Sequence, residues 1–159
     1  KFDSEGNFIK EWGEIGFRPG QFRTPHAMEF DSQGRLYVAD RGNHRIQVFD
    51  QEGELLEIYQ QFSRVSGLFI TADDMLYAID SESSEGNHYG WMDGVRIGRA
   101  GEDLVTGFIP PHIPAEGRIL QGLAGEGIAV DADGNVFVAE GPASRPFAGG
   151  GVTKYVAAN

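Results

Sequence analysis

The sequence predicts an all-β protein, a β-propeller of four-stranded antiparallel blades, and three observations lead to this prediction. Residues 20–50 contain three short segments rich in β-branched and aromatic residues, MEFD, RLYVAD and RIQVFD, and a fourth, LLEIYQQ, follows at 55–61. The segment DSQGRLYVAD at 31–40 recurs as TADDMLYAID at 71–80 and as DADGNVFVAE at 131–140. The 23 glycines and the 11% of aromatic residues suit many short strands joined by tight turns.

The repeats divide the chain into blades. The turn DSQG joins the first two strands of one blade, and Gly34 can take the positive φ that such a hairpin needs. FDSEGNFIKEW at 2–12 matches FDQEGELLEIY at 49–59, so both are expected to be hairpins between a third and a fourth strand. Residues 1–16 therefore end one blade, 17–61 and 62–110 form two complete blades, and 111–159 form an incomplete one.

Three Gly/Pro-rich or polar segments interrupt the repeats at 82–93, 110–120 and 141–151. They are expected to be surface loops on one face of the ring. We expect the ring side chains of His88, Tyr89 and Trp91 to fix the first of these loops on the blade surface; the alternative is one wall of a substrate pocket. His44 lies in the repeated loop itself and is expected to be structural.

About three blades cannot close a propeller, which usually has four to eight. We therefore expect the remainder of the ring to come from residues outside this segment. A second chain that completes a two-fold symmetric ring is the less favoured option.

Composition excludes several classes of function. The formal net charge is -11, and no Lys/Arg cluster is present, which argues against nucleic acid and anionic membranes as partners. The sequence has no apolar run of membrane-spanning length and no cysteine. It also lacks the Gly-x-Ser-x-Gly, P-loop and dinucleotide-binding motifs.

The repeat itself points to a candidate metal site. When the three copies are superposed, His26 falls on Ser66 and on Glu126, each just before the first, innermost strand of its blade. Side chains there can face the central channel, and a third ligand from the absent half would leave one coordination position open, as catalytic zinc requires. The structural alternatives are a turn role for His26 and hydrogen bonds from Glu126 to backbone N–H groups.

RTPHAMEFDSQGRLYVADRGNHRIQVFDQEG resembles an NHL repeat, including the stretch Asn43-His44-Arg45-Ile46. This resemblance implies a six-bladed propeller, of which the chain covers about half. Within that group, RPGQF-x-x-PH followed by VADR-x-N-x-RIQ-x-F is similar to peptidyl-α-hydroxyglycine α-amidating lyase and its bacterial relatives. GVRIGRAGEDLVTGFIP and EGIAVDADGNVFVAEG extend the similarity toward the C-terminus.

The lyase resemblance implies three channel-facing histidines on zinc, one from every second blade. His26 matches the first through the Pro-His pair, whereas Glu126 stands where the eukaryotic enzymes carry histidine. A carboxylate also suits calcium, so the expected cofactor is zinc with calcium as the alternative. Arg41 matches an active-site arginine that would bind a substrate carboxylate or carbonyl; its alternative is an ion pair with Asp40, Glu29 or Asp31.

The expected function is thus a metal-dependent lyase that cleaves the N–Cα bond of an α-hydroxyglycine in a small-molecule or peptide substrate, with its tyrosine base in the absent half. One alternative is a non-catalytic NHL module for protein interaction. The other is a lactonase-like propeller hydrolase that binds calcium through carboxylates. The resemblance also implies a periplasmic or extracellular location.

Overall fold

A computed structural model describes residues 1–112, 125–140 and 150–158. In these residues the chain forms a series of short β-strands and a single 3-10 turn, Arg41–Asn43. The strands are β1 (Pro25–Phe30), β2 (Leu36–Asp40), β3 (Arg45–Phe49), β4 (Leu55–Tyr59), β5 (Val65–Ile70), β6 (Met75–Asp80), β7 (Gly94–Arg99), β8 (Val105–Ile109), β9 (Gly127–Val130), β10 (Val136–Glu140) and β11 (Gly151–Tyr155).

The strands form three antiparallel sheets in chain order, which confirms the predicted fold class of a partial β-propeller. The first sheet has the order β1-β2-β3-β4, the second β5-β6-β7-β8, and the third β9-β10-β11. Every neighbouring pair is antiparallel and consecutive in sequence. Each sheet is therefore an up-and-down meander of the kind that forms a propeller blade.

The repeated aspartate at the start of each DxxG turn closes the hairpin. Asp31 Oδ1 accepts hydrogen bonds from the backbone N–H groups of Gln33 and Arg35 at 3.0 and 2.8 Å, and Gly34 takes φ +75°. The same arrangement recurs at Asp3, Asp50 and Asp131. These acidic segments are thus hairpin turns, as predicted.

In the second sheet the corresponding turn uses different residues. The Thr71 hydroxyl replaces the aspartate and accepts the N–H of Met75 at 2.9 Å, while Asp74 takes the positive φ of +65°. The carboxylate of Asp74 then accepts hydrogen bonds from the backbone N–H and the hydroxyl of Ser32 at 2.8 and 2.6 Å. These hydrogen bonds link the turn between β1 and β2 to the turn between β5 and β6.

The core lies between the sheets. The first and second sheets pack through one apolar cluster, and the second and third through another, because alternate residues of each strand point to opposite faces. The first cluster includes Tyr37, Ala39, Ile46, Val48, Val65, Leu68, Leu76 and Ala78, and the second includes Ile79, Val95, Val136 and Val138.

The strands β1, β5 and β9 lie nearest to one another, since β1 contacts β5 and β5 contacts β9. Gly67 permits this approach: a Cβ there would lie 2.7 Å from the backbone oxygen of Glu126 and 2.9 Å from Ile79 Cγ2. The first residues of these three strands consequently meet at one end of the sheets.

The N-terminal segment covers the outer face of the first sheet. Trp12 and Phe22 pack against Leu36, Val38 and Phe49. The hairpin predicted at 2–12 appears as an isolated antiparallel bridge between residues 2 and 8, without extended strands. Most of the predicted loops 110–120 and 141–151 lies outside the described residues. Within the described ranges, no helix has the length and the apolar character needed to cross a membrane.

Leu76→Ala is expected to lower the free energy of unfolding by about 2–5 kcal/mol, because Leu76 is fully buried between the first two sheets and its truncation leaves a cavity. Urea denaturation followed by circular dichroism measures the change. Leu56→Ala is the matched control, since Leu56 is 48% exposed on β4 and should change stability by less than about 0.5 kcal/mol. Equal losses in both variants would contradict the inter-sheet core.

Candidate functional site

The candidate site lies at the end of the sheets where β1, β5 and β9 begin and where β2 and β6 end. The backbone register fixes this: Pro25 of β1 pairs with Asp40 of β2, and Val65 of β5 pairs with Asp80 of β6. Residues just inside the first strand and just after the second therefore come together.

A β-bulge directs the first of these side chains. The pairing of β1 with β2 skips His26, and the pairing of β5 with β6 skips Ser66, the equivalent residue of the repeat. His26 Nδ1 lies 2.8 Å from the carbonyl oxygen of Ser66. Because a carbonyl oxygen only accepts hydrogen bonds, Nδ1 is the donor, and in the neutral ring the lone pair is on Nε2.

The Glu126 carboxylate joins His26 to the third sheet. Its Oε2 lies 3.5 Å from His26 Nε2, and its Oε1 accepts a hydrogen bond from the Ser81 hydroxyl at 3.3 Å. Ser81 in turn hydrogen-bonds the hydroxyl of Ser66 at 2.6 Å. The structure thus brings together His26 and Glu126, which are separated by a hundred positions in the sequence.

Arg41 completes the cluster from the 3-10 turn that follows β2. Its Nη1 lies 3.3 Å from Ser66 Oγ, 3.3 Å from Glu82 Oε1 and 3.5 Å from Glu126 Oε2. The Arg41 side chain is only 16% exposed, whereas its partner Glu126 is 45% exposed, so solvent screens the contact with Glu126.

Arg41 forms ion pairs, as its structural alternative expects, but with Glu82 and Glu126. Arg41 does not pair with Asp40, Glu29 or Asp31; Asp40 pairs with Arg45 at 2.8 Å and Asp31 with Arg35 at 2.6 Å.

His26 and Glu126 also have partners other than the expected ones. The ring of His26 bonds the neighbouring sheet rather than its own turn, and the side-chain contacts of Glu126 in the described residues are with other side chains.

The donor atoms of His26 and Glu126 fit a shared cation. Two ligands at the usual zinc distances and a tetrahedral angle lie about 3.4 Å apart, and the observed separation of Nε2 and Oε2 is 3.5 Å. The guanidinium of Arg41 lies 3.5 Å from the same Oε2 and already places one positive charge beside it. The hydrogen bond from Nδ1 to a backbone carbonyl is the typical outer contact of a metal-binding histidine.

Two protein ligands are all that this part of the chain provides. Within residues 1–112, 125–140 and 150–158, no group of three or more His, Asp or Glu side chains is placed to hold a metal. Gly141, the repeat equivalent of Arg41, lies outside the described residues.

Sequence reasoning missed Glu82 and Arg64. Glu82 lies between two guanidinium groups, contacting Arg41 through Oε1 and forming an ion pair with Arg64 through Oε2. Arg64 Nη1 donates to His44 Nε2 at 2.9 Å, so the cluster continues away from the axis. The only sequence signal for Glu82 is its position as the first residue of the inserted loop after β6. Arg64 precedes β5 and belongs to no motif.

Two histidines lie at the outer end of this network. The rings of His44 and His88 are 4.2 Å apart, and the ring of His88 stacks on Trp91 at 4.8 Å. Burial lowers the pKa of both histidines, and the positive charge of Arg64 lowers them further, while Asp80 acts in the opposite direction. The expectation that the loop aromatics fix the loop on the blade is met by His88 and Trp91, whereas Tyr89 is 81% exposed.

Comparison with known proteins identifies the type of repeat. The sequence model of the NHL repeat matches residues 22–49. Peptidyl-glycine alpha-amidating monooxygenase B of Xenopus laevis is 33% identical over 153 residues, which is 91% of this chain and 17% of that protein. Human NHL repeat-containing protein 3 is 58% identical over 53 residues, or 31% of this chain and 15% of that protein. The chain thus spans less than a fifth of the length of these relatives.

Solved structures support the same architecture. Virginiamycin B lyase of Staphylococcus aureus superposes with a TM-score of 0.56 over 98% of this chain and 47% of its own, at 12% identity. At that identity the likeness concerns the fold alone.

The buried histidines should make stability depend on pH. Since their pKa values in the folded state lie below the ordinary value of 6.5, the unfolded chain binds protons more readily. Stability is expected to be highest above pH 6.5 and to fall as the pH decreases through the folded pKa values. Thermal unfolding at a series of pH values measures this.

His44→Asn is the appropriate variant, because asparagine tolerates the φ of +56° at this position. It should reduce the loss of stability in acid, while Leu56→Ala, which removes no titratable group, should leave the acid dependence unchanged. An unchanged acid dependence in His44→Asn would contradict the role of this ring.

Proposed function

Because this chain is part of an NHL-repeat β-propeller, we propose that it supplies half of the active site of a metal-dependent lyase acting on peptidyl-α-hydroxyglycine. The observation that carries the proposal is the convergence of His26, Glu126 and Arg41 from three separate segments. The similarity to peptidyl-glycine alpha-amidating monooxygenase over 91% of the chain supports it. The remaining blades of the ring come from residues outside this segment or from a second chain.

His26 Nε2 and the Glu126 carboxylate would hold the metal, zinc or calcium, with further ligands from the rest of the ring. A bound metal ion supplies Lewis acidity toward a hydroxyl or carbonyl oxygen of the substrate. The Ser66 carbonyl keeps Nδ1 of His26 protonated, and the Ser81 hydroxyl orients Glu126, so the two ligands are held before substrate binds.

Arg41 would bind the substrate carboxylate, since a guanidinium group offers parallel donors to two carboxylate oxygens. In the proposed reaction a base removes the proton of the α-hydroxyl group, and that O–H electron pair forms the C=O bond of glyoxylate. The N–Cα bond breaks, its electron pair stays on nitrogen, and protonation there yields the peptide amide. The base lies outside this part of the ring.

The proposal includes a location. A lyase for peptide substrates of this family would act in the periplasm or outside the cell.

Elemental analysis of the purified protein is the direct test of the metal site. We expect about one zinc or calcium ion per complete ring in the wild type and a loss of at least about tenfold in metal affinity in His26→Ala, since a ligand and its fixed tautomer are removed.

His88→Ala is the control, because the His88 ring bonds the Ser63 hydroxyl and stacks on Trp91 rather than contacting Glu126. Wild-type protein without metal, or equal metal loss in both variants, would contradict the proposal and favour a non-catalytic interaction module.

Arg41→Lys tests the substrate contact. Lysine keeps the charge but loses the forked donors, so kcat/KM for an α-hydroxyglycine peptide is expected to fall by about 10²-fold. Metal content should be retained. Arg99→Lys, at an exposed arginine that bonds the Asp73 carbonyl, should leave kcat/KM unchanged. Full activity in Arg41→Lys would remove Arg41 from the catalytic site.

A further inference from the structure

A cleft opens beside the candidate site, between the turn that follows β2 and the inserted loop 82–93. Its volume is about 400 Å³, within the range of pockets that hold small ligands. The residues that line it are Phe17, Asn43, His44, Arg45, Gln60, His88 and Trp91. Neither the metal site nor the proposed chemistry uses this cleft.

The walls are aromatic and held in place. The ring of His88 lies parallel to Trp91 within 5°, and the Arg96 guanidinium lies over Trp91 at 4.9 Å from its ring centre. His44 packs on His88 from the other direction. Phe17 faces them and is 79% exposed, so it offers an open aromatic surface. Because Trp91 is already in contact with His88 and Arg96, the open ring is that of Phe17, on which a flat, apolar side chain can stack without reorganisation of the other walls.

The polar groups of the cleft match a peptide backbone. His44 Nε2 accepts from Arg64, which can only donate, so Nδ1 carries the ring proton and is a donor without a partner among the described residues. His88 uses Nδ1 for the Ser63 hydroxyl at 2.6 Å, and its Nε2 has no partner in the same ranges. The exposed side-chain amide of Gln60 adds both a donor and an acceptor.

The cleft carries little net charge. Arg45 is paired with Asp40, and its remaining donors reach the backbone carbonyls of residues 17, 18 and 21. Arg64, behind His44, is paired with Glu82. An uncharged occupant therefore suits the cleft better than a charged one.

The cleft and the candidate site share structural elements. Arg41 and Asn43 belong to the same three-residue turn, one facing the site and the other the cleft. The contacts of Glu82 with Arg41 and Arg64, and of Arg64 with His44, connect the two. Because Arg41 and Asn43 are two positions apart in one turn, the cleft lies next to the point where a peptide carboxylate paired with Arg41 would be held.

We propose that this cleft binds the residue that precedes the reacting α-hydroxyglycine and selects an aromatic side chain there. This proposal rests on the proposed function in one respect, namely that the substrate is an α-hydroxyglycine peptide. Binding of an aromatic peptide residue by Phe17, Trp91 and the two histidines is independent of the lyase reaction.

Calorimetric titration with two acetylated dipeptide amides, one ending in Phe-amide and one in Asp-amide, tests the cleft without the reacting group. The Phe-amide is expected to bind at least about fivefold more tightly to the wild type, because stacking of an aromatic ring adds to the burial of its apolar surface. Equal affinity for the two peptides would overturn the proposal.

Phe17→Ala should weaken Phe-amide binding by about five- to tenfold. Because Phe17 is exposed, its replacement should leave the fold intact, and the lost affinity would then report the lost contact. Tyr89→Ala is the matched control, since Tyr89 is equally exposed on the neighbouring loop and does not line the cleft. Unchanged binding in Phe17→Ala, or the same loss in both variants, would contradict the assignment.

The two proposals can fail separately. Selective Phe-amide binding by a protein without lyase activity would support the cleft and overturn the lyase assignment. Lyase activity with no preference between peptides ending in Phe and in Asp would retain the lyase and overturn the cleft.

Discussion

The buried carboxylate at the end of the second strand of each sheet is the interaction on which the functional face depends. Asp40 has no solvent exposure and accepts four hydrogen bonds, from the Arg23 backbone N–H and from the side chains of Asn43, Arg45 and Gln47. A buried charge is tolerated only when it is satisfied in this way. Because two donors, Arg23 and Asn43, flank the 3-10 turn and the other two lie on β3, this single group fixes the turn from which Arg41 projects.

A buried carboxylate also ends the second strand of the second sheet, where it fixes the inserted loop. Asp80, also fully buried, pairs with Arg96 at 2.9 Å and accepts the backbone N–H groups of Glu82 and Ser83 at 3.1 and 2.9 Å. The inserted loop is thereby anchored at its first residues. Glu82 is held next to Arg41, and the same guanidinium of Arg96 supports Trp91. One structural device of the repeat thus builds both the candidate site and the wall of the adjoining cleft.

Some positions of the repeat serve the fold, and others carry the residues of the candidate site. Most positions that close turns keep the same chemistry from copy to copy, as the DxxG aspartates do, and Thr71 in the second sheet is the exception. Positions near the axis differ: the bulge residue is His26 in one sheet and Ser66 in the next, and the residue after the second strand is Arg41 in one and Ser81 in the next. Variation is tolerated there because these side chains contact one another rather than the core.

The sequence by itself determined the strands, their turns and the antiparallel blades, because local periodicity and the repeated turn residues specify them without long-range information. Repeat alignment also placed His26 and Glu126 at equivalent ends of their blades, and the family resemblance added Arg41. Only the tertiary structure decided their partners. Arg41 faces Glu82 and Glu126 instead of the nearby Asp40, and Arg64 reaches across to His44, because side-chain contacts between sheets depend on the stacking and bulges of the strands, which leave no periodic signal in the chain.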